Sequence, residues 1–249
     1  MGLDDKNFIS NIYDKITLSL KSGKVIFSNE FYTPDVWKKL LELSTKLGIN
    51  VSSYGVFEES ERHMVCFSSN QVLDHYHYPI KLVKIVNKSK FTNLTHKDFL
   101  GALMSLGINR EKLGDLITEE NTCYCAMCED IFEYVSDKLT SIGKCPCTLI
   151  DVVDQEEIPT PKLVDQVIIA TSYRVDSIVS AISGISRNKC LSLINSGKVL
   201  LNYEVITEKD RLVNMNSVIT LRGFGKYRIL GTNGNSGSGR LRINMKKYV

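Results

Sequence analysis

Residues 173–226 read YRVDSIVSAISGISRNKCLSLINSGKVLLNYEVITEKDRLVNMNSVITLRGFGK. Apolar residues recur at helical spacing after Arg174, and Gly184 ends this first predicted helix. Ser186 is the predicted N-cap of a second helix, and Gly197 lies just past its end. Short strands are predicted after Gly197, so the stretch forms a helix pair followed by a small sheet.

The start of the second helix has the chemistry of a phosphate site. Ser186 caps the helix, and Arg187 and Lys189 lie in its first turn. Exposed backbone N–H groups and the positive end of the helix dipole thus coincide with two cations. The expected ligand is therefore a polyanion.

The order of these residues resembles a known RNA-binding module. This is the S-four domain, named after the fourth protein of the small ribosomal subunit. The motifs that carry the resemblance are Arg174-Val175-Asp176, Ser186-Arg187, Gly197-Lys198-Val199, Asn202 and Arg222-Gly223. That family usually has Gly-Asp in the turn before its Arg-Gly strand, where this chain has Asn216-Ser217. The resemblance implies RNA binding by this part of the chain.

Charge is divided unevenly along the chain. The overall net charge is +3, but residues 170–249 carry 13 Lys and Arg against 4 Asp and Glu, a net of +9. Residues 1–169 carry a net charge of −6. A basic domain on an acidic body is expected when one domain meets nucleic acid. The alternative is a solvated basic face with no partner.

The C-terminal end adds cations in a strand pattern. Polar and apolar residues alternate through residues 226–229 and 240–246, which places cations on one face of a predicted hairpin. The run GTNGNSGSG at 231–239 is predicted to be its flexible loop. A solvated strand face without a ligand is again the alternative.

Ten side chains are the predicted RNA contacts. Arg174, Arg187, Lys189 and Lys198 are expected to grip backbone phosphates. Ser186 presents the helix end to a phosphate, and Asn202 is expected to bond a base or a 2′-hydroxyl. The basic surface is widened by Arg222, Lys226, Arg240 and Arg242.

The rest of the chain is predicted to form two more small domains, which gives an α+β fold with three domains. Residues 1–75 form an N-terminal unit with helices over 1–22 and 34–47 and strands over 49–57 and 62–69. Thr33, Pro34 and Gly48 mark the ends of the second helix, which is expected to bury Leu47. The acidic segment 154–162, with two prolines, is the predicted boundary before the basic domain, residues 163–249.

Residues 76–155 are predicted to be a split βαβ domain, as in ferredoxin-like and RNA-recognition folds. The pattern reads strand, helix capped by Thr95 and Asp98, two strands, helix over 129–143, and strand over 145–153. The aromatic residues that RNA-recognition sheets use to stack bases are missing here. The surface chemistry of this domain therefore does not indicate RNA binding.

A second resemblance lies in the same region. Residues 96–104 read HKDFLGALM, and Gly114-Asp115 follows soon after. This resembles the YlmH family of ribosome-associated RNA-binding proteins, although Lys97 stands where Arg is usual, and Glu61-Arg62 matches an earlier hairpin of that family. The resemblance implies a target on the large ribosomal subunit and its bound tRNA, and a role in rescuing stalled subunits.

Two patterns of residues could in principle bind a metal. Five cysteines at positions 123, 125, 128, 145 and 147 offer enough thiolates for zinc, but alternation in strands favours packing as small hydrophobes. Asp74, His75 and His77 lack a further ligand nearby, so a polar connector is favoured. No metal is expected.

Several classes of protein are disfavoured by the sequence. No apolar run approaches the ~20 residues needed to cross a bilayer. The N-terminus lacks a signal-peptide pattern, and Lys6 breaks the myristoylation pattern. A cytoplasmic protein with reduced thiols and no membrane partner is expected. No glycine-rich loop for S-adenosylmethionine or ATP is present, so no cofactor is expected.

Three functions remain open. The first is a non-enzymatic RNA-binding protein of the ribosome, with ribosomal RNA and tRNA as partners. The alternative is an RNA-modifying enzyme, of the pseudouridine synthase or methyltransferase type, that uses the basic domain to dock. In the third, residues 1–160 bind a protein partner and the basic domain only tethers the chain.

Overall fold

The computed structural model describes residues 6–69 and 77–248, apart from the side chains of Leu47 and Gln155. The chain divides into two compact units, one up to Thr160 and one from Pro161. This division falls inside the predicted boundary segment 154–162. Six α-helices and three sheets form in the described residues, so the architecture mixes α and β structure. The finer division into domains 1–75, 76–155 and 163–249 stays a prediction.

The first unit begins with two helices packed on a three-stranded antiparallel sheet. The elements are α1 (Lys6–Ser22), β1 (Ile26–Tyr32), α2 (Pro34–Leu47), β2 (Asn50–Tyr54) and β3 (His63–Ser68), with strand order β1-β3-β2. Helix α2 follows its N-cap Thr33 and stops at Gly48, whose φ of 62° is left-handed. Leu47 was predicted to be buried, but its side chain is not among those that the structure describes.

Strand β1 was not predicted from the sequence. Asn29 has a φ of 54°, and the pairing of β1 with β3 shifts register between Phe27 and Phe31. This bulge breaks the two-residue alternation by which a strand is recognised. Pairing with β3 therefore decides the structure of this segment.

A five-stranded antiparallel sheet completes the first unit. Its elements are β4 (Ile80–Asn87), α3 (His96–Ser105), β5 (Leu113–Glu119), β6 (Thr122–Cys128), α4 (Phe132–Lys138), β7 (Ser141–Ile142) and β8 (Cys145–Asp151), in the order β5-β6-β4-β8-β7. The strand and helix order is the one predicted, except that the short strand β7 lies between α4 and β8. Asp98 Oδ2 accepts hydrogen bonds from Thr95 N (2.8 Å) and Thr95 Oγ1 (2.7 Å), as expected of a capping box.

The predicted helix over 129–143 is wrong in its length. Residues Glu129–Ile131 form a 3-10 turn, and α4 ends at Lys138. Ile142 then pairs with Cys145 across a tight turn at Gly143, whose φ is 58°. Pairing with β8 draws these residues out of the helix, because a backbone N–H that bonds to a strand is lost to the helix ladder.

Both faces of the five-stranded sheet are buried within the first unit. One face packs on α3 and α4 through residues that include Val83, Cys123, Cys125, Phe99 and Leu103. The other face packs on the three-stranded sheet, where residues from both sheets form one cluster: Phe31, Phe57, Met64, Cys66, Leu82, Tyr124, Ala126 and Cys128. Residues Val152 and Ile158 pack against the same cluster. The sheet face on which RNA-recognition folds stack bases is thus occupied by protein.

The cysteines follow the predicted packing. Cys123 and Cys125 share the helix-side face, and burial raises the pKa of the Cys125 thiol to about 12. No three His, Cys, Asp or Glu side chains in residues 6–69 and 77–248 are grouped as a metal site. Asp74 and His75 lie outside the described residues.

Asp115 joins the two sheets of the first unit. Its Oδ2 accepts hydrogen bonds from the backbone N–H groups of Glu61 (2.5 Å) and Arg62 (3.2 Å). The Arg62 guanidinium donates to the carbonyl oxygens of Leu113 (3.1 Å) and Phe31 (2.8 Å). Burial raises the pKa of Asp115 to about 6 and lowers that of Arg62 to about 10. The Glu61-Arg62 and Gly114-Asp115 motifs are therefore in contact.

The second unit is a six-stranded antiparallel sheet with two helices on one face. Its elements are β9 (Leu163–Ala170), α5 (Val175–Ser183), α6 (Arg187–Asn195), β10 (Val199–Leu201), β11 (Glu204–Val205), β12 (Val218–Leu221), β13 (Gly225–Asn235) and β14 (Leu241–Tyr248), in the order β11-β10-β12-β13-β14-β9. Ile178, Ile194, Ile219, Ile229 and Ile243 lie in its core. Strand β9, which was not predicted, is an edge strand paired with β14.

The prediction of a flexible loop over 231–239 is wrong for most of that run. Strand β13 continues to Asn235, and Gly231 and Asn235 pair with Asn244 and Leu241. Two register shifts accompany the glycine-rich sequence, and Gly231 has a φ of 134°. Glycines here allow bulges that keep the long hairpin paired rather than opening a loop.

None of the helices among the described residues has both the length and the apolar character needed to span a bilayer.

Candidate nucleic-acid interface

Helix α6 begins where the sequence predicted a phosphate site. Its N-cap is Ser186, with φ −61° and ψ 150°, and the Ser186 carbonyl accepts the N–H of Cys190 at 2.9 Å. The Ser186 side chain makes no capping hydrogen bond to the helix. Arg187 and Lys189 in the first turn are exposed. The positive end of the helix dipole and both cations therefore face solvent together.

An open groove of about 400 Å³ lies beside this helix start. Ser186, Arg187 and Arg240, the last from the turn before β14, are among the residues that line it. Sequence reasoning predicted each of these three residues but did not predict that they meet. The hairpin pairing of β13 with β14 and of β14 with β9 brings Arg240 to α6.

Hydroxyl groups form part of the groove lining. The side chain of Arg187 donates to Thr171 Oγ1, which lies 3.0 Å from Ser177 Oγ. Ser177 Oγ also accepts the N–H of Thr171 at 3.0 Å, and Ser180 Oγ donates to the carbonyl of Ile185 at 2.7 Å. Hydrogen bonds thus fix Arg187 and the polar lining in position. Sequence reasoning missed Thr171, Ser177 and Ser180, because isolated small polar residues carry no local signal.

Arg174 is already engaged in an ion pair. Its Nε and Nη2 donate to the two carboxylate oxygens of Asp176 at 3.1 and 3.3 Å. These hydrogen bonds raise the pKa of Arg174, and Asp176 is buried at the start of α5. The guanidinium can therefore offer a phosphate only its remaining N–H groups. The predicted phosphate contact of Arg174 stays a prediction.

Asn202 shapes a turn. Its φ is 51°, its Oδ1 accepts the N–H of Val218 at 2.9 Å, and its own N–H donates to the Val218 carbonyl at 2.8 Å. Asn is one of the few residues that tolerate this left-handed conformation. The predicted contact with a base or 2′-hydroxyl would therefore have to use the side-chain NH₂ group, because the side-chain oxygen is committed to the turn.

Lys198 and Arg222 are brought together by pairing of β10 with β12. The backbone N–H of Arg222 donates to the Lys198 carbonyl at 2.9 Å, and both side chains are exposed. Two cations that lie 24 positions apart in the sequence thus share one end of the sheet. They form a second positive site in this unit.

The outer face of β13 and β14 carries a cluster of cations around one tyrosine. Lys226 Nζ lies 3.8 Å from the ring centroid of Tyr248, and Arg228 Nη2 donates to Tyr248 Oη at 2.7 Å. Lys246 is paired directly opposite Arg228. On the same strand face, Arg242 is exposed, while Ile243 and Met245 are buried on the opposite face, as predicted. Tyr248 was missed, although its alternation with Lys246 would have indicated its face.

Comparison with known proteins bears on both units. Residues 73–156 match a family model described as "Putative RNA-binding domain in YlmH". The chain is 24% identical over 221 residues to "Ribosome-associated protein quality control protein P2" of Bacillus subtilis (strain 168), across 88% of this chain and 86% of that protein. It also resembles the structure titled "Cell division protein ylmH from Streptococcus pneumoniae", with a TM-score of 0.53 and 27% sequence identity over 64% of this chain and 97% of that chain. Together, the family model, the curated relative and the solved structure support the YlmH family for this protein.

Proposed function

We propose that this protein is a non-enzymatic RNA-binding protein of the ribosome, with its second unit acting as an S-four-type module. The observation that carries the proposal is the groove at the start of α6, where Ser186, Arg187 and Arg240 meet. A helix N-terminus with two guanidinium groups and several hydroxyls suits a phosphate of an RNA backbone. The net charge of +9 over residues 170–249 supports a polyanionic ligand.

Binding is shared between the groove and the two neighbouring positive sites. Lys198 and Arg222 meet further phosphates, and Lys226 and Arg242 extend the contact over the sheet. Contacts of this kind recognise the shape of a folded RNA rather than its base sequence. Because affinity comes largely from counterion release, it falls steeply as salt rises.

The target that we propose is ribosomal RNA of the large subunit together with its bound tRNA, in the cytoplasm. The relative named as a ribosome-associated quality control protein supports this choice. In this role the protein would act on large subunits that carry a stalled nascent chain. Residues 1–160 would contribute a second contact with RNA or with a protein partner.

The first experiment measures binding of the full chain to isolated bacterial large subunits, with and without bound tRNA, across a salt series. We expect tight, salt-sensitive binding that bound tRNA strengthens. The double variant Arg187→Gln/Arg240→Gln should bind at least about tenfold more weakly and with a shallower salt dependence, because each lost charge-assisted contact is worth about 1.5–3 kcal/mol.

The matched control is Lys21→Gln, which removes one exposed cation from the last turn of α1 in the other unit. It should bind as the wild type does. Equal binding by the wild type and the double variant would contradict the proposed groove. Binding no tighter than that to any duplex RNA would contradict the ribosomal target.

The absence of catalytic activity is tested separately. Purified protein is incubated with ribosomal RNA, with and without S-adenosylmethionine, and modified nucleotides are mapped. We expect the modification pattern to be unchanged. A single new modified position would instead support the RNA-modifying alternative.

A further inference from the structure

The loop between β4 and α3 carries an aromatic side chain with almost no protein contact. Phe91 is 98% exposed, which is the highest exposure among the large hydrophobic side chains of the described residues. The loop lies in the first unit, within residues 73–156, the region that matches the RNA-binding family model. A fully exposed phenylalanine ring contributes no burial energy to folding, and a ligand that covers the ring gains about 1.5–3 kcal/mol from its burial.

The loop is held in shape by one buried side chain. Asn87 Nδ2 donates to the Thr92 carbonyl at 2.8 Å, and Asn87 Oδ1 accepts the N–H of Ser89 at 2.9 Å. The N–H of Lys88 donates to the Pro146 carbonyl at 2.9 Å, which ties the loop to β8. The Phe91 side chain is thus displayed on a fixed turn, which lowers the entropic cost of binding.

The charge around Phe91 is positive. Lys88, Lys90 and Lys97 are exposed, and residues 88–97 contain no acidic side chain. The acid next to this segment is Asp98, whose carboxylate accepts hydrogen bonds from Thr95. The β5–β6 turn, which contains Glu119 and Glu120, is joined to the loop by a hydrogen bond from the Asn87 N–H to the Asn121 carbonyl at 2.9 Å. Lysines around an exposed ring are the chemistry by which proteins hold unpaired nucleotides, because the ring stacks on a base and the cations meet its phosphates.

The geometry points to a second RNA contact at residues 88–97. We infer that Phe91 stacks on an unpaired base while Lys88 and Lys90 meet the flanking phosphates. This inference deepens the proposed function and rests on it, since it assigns an RNA contact to the first unit. It also explains how that unit can bind RNA although both faces of its five-stranded sheet are covered.

Two measurements on the full chain test the inference. In the first, Phe91→Trp is titrated with a single-stranded RNA oligonucleotide, and fluorescence is compared with that of the wild type, whose single tryptophan is Trp37. We expect quenching of the added tryptophan as it stacks on a base. The matched control is Val153→Trp, placed at a position of the same unit that is 84% exposed, which should not be quenched.

The second measurement is binding to large subunits. Phe91→Leu keeps an apolar side chain but removes the ring, and it should weaken binding by about 5- to 100-fold, which corresponds to the stacking energy of one base. Phe91→Trp should bind like the wild type. Quenching together with a weaker Phe91→Leu variant would support the inference.

Of the three other outcomes, the first two overturn the inference and the third overturns only the ribosomal target. If Phe91→Leu binds subunits more weakly but RNA does not quench the added tryptophan, the loop docks on a protein. If neither effect is seen while the wild type binds subunits, the loop is not a contact and the proposed function stands. If the wild type fails to bind subunits but the tryptophan is quenched, the ribosomal target fails and the RNA contact stands.

Discussion

Trp37 and His63 stack face to face in the first unit, with ring centroids 4.1 Å apart and 3° between the ring planes. The His63 Nε2–H donates to the Ser60 carbonyl at 3.1 Å, and Nδ1 lies 3.0 Å from Ser53 Oγ, which donates to it. Both bonds are satisfied by the neutral imidazole, since a carbonyl can only accept. Burial lowers the pKa of His63 to about 4.

This histidine should make stability depend on pH. The unfolded chain takes up the proton near the usual pKa of 6.5 but the folded chain only near 4, so His63 contributes stability above about pH 6.5 and loses it as pH falls toward 4. Between pH 7 and pH 5 the loss is about 2 kcal/mol. Burial raises the pKa of Asp115 to about 6. The contribution of Asp115 to stability therefore increases as pH falls over the same range.

Urea unfolding followed by Trp37 fluorescence at pH 7 and pH 5 separates the two groups. His63→Gln should remove the contribution of His63 and leave that of Asp115. The variant is therefore expected to lose about 2 kcal/mol less than the wild type on acidification. An identical pH dependence in both proteins would contradict this assignment.

Asn216 lies in a turn at positive φ. It is exposed, and its φ is 62°. Its N–H donates to the Ile229 carbonyl at 2.7 Å, and the N–H of Ile229 donates to the Ser217 carbonyl at 2.9 Å. Asn tolerates the left-handed region, so it can hold the backbone of this turn at positive φ.

Substitution at Asn216 should follow backbone preference. Asn216→Val should lower the free energy of unfolding by about 1–2 kcal/mol, because a β-branched residue is strained at this φ. Asn216→Gly is the matched control and should be neutral within about 0.5 kcal/mol. Thermal unfolding measures both variants. Equal stability of the valine and glycine variants would show that the turn is not held at positive φ.

At the scale of elements, Asp115 links strand β5 to the turn between β2 and β3. Removing its carboxylate would leave two backbone N–H groups without their acceptor. It would also remove a negative charge that raises the pKa of both Arg62 and Arg110. Gly114 is constrained beside it, since a Cβ there would lie 2.9 Å from the ring of Phe31. The junction is thus both polar and tightly packed.

Asp115→Ala should therefore destabilise the first unit by at least about 3 kcal/mol. Hydrogen exchange should also become faster at the amides of Glu61 and Arg62 than elsewhere in the turn. The matched control is Asp137→Ala, which removes an exposed acid from α4 and should change stability by less than about 0.5 kcal/mol. If hydrogen exchange in the Asp115→Ala variant is equally fast at all amides of the first unit, the proposal that Asp115 acts as a local junction is contradicted.

At the scale of the molecule, each of the two units has its own buried core. The second unit closes its core with residues from both ends, because β9 at its start pairs with β14 at its end. A fragment of residues 161–249 contains every strand of the six-stranded sheet. It is therefore expected to fold alone, with a single cooperative unfolding transition.

The fragment also separates the open functions. If it binds large subunits with a salt dependence close to that of the full chain, the second unit carries most of the electrostatic contact. Weaker binding than the full chain is expected if the Phe91 loop adds a second contact. Affinity equal to that of the full chain would favour the alternative in which residues 1–160 meet a protein partner. A fragment that shows no cooperative transition would contradict the independence of the unit.

Local chemistry determined much of this protein from sequence alone. The ends of two helices could be predicted from Gly184, Ser186 and Gly197, because capping residues act within a few positions of a helix end. The same holds for the Thr95–Asp98 box at α3. Alternation in β14 predicted which side chains are buried, because successive residues of a strand face opposite ways. These signals need no knowledge of the rest of the chain.

Only the tertiary structure decided the rest. In the folded protein Arg174 forms an ion pair with Asp176, and the side-chain oxygen of Asn202 accepts a hydrogen bond within a turn. Arg240 lies in the same groove as the start of α6. The three-stranded sheet also covers the second face of the five-stranded sheet. Sequence spacing cannot specify such contacts, because they depend on which surfaces meet after distant segments pair. The sequence therefore identified the basic residues, whereas only the tertiary structure showed which of them lie close together.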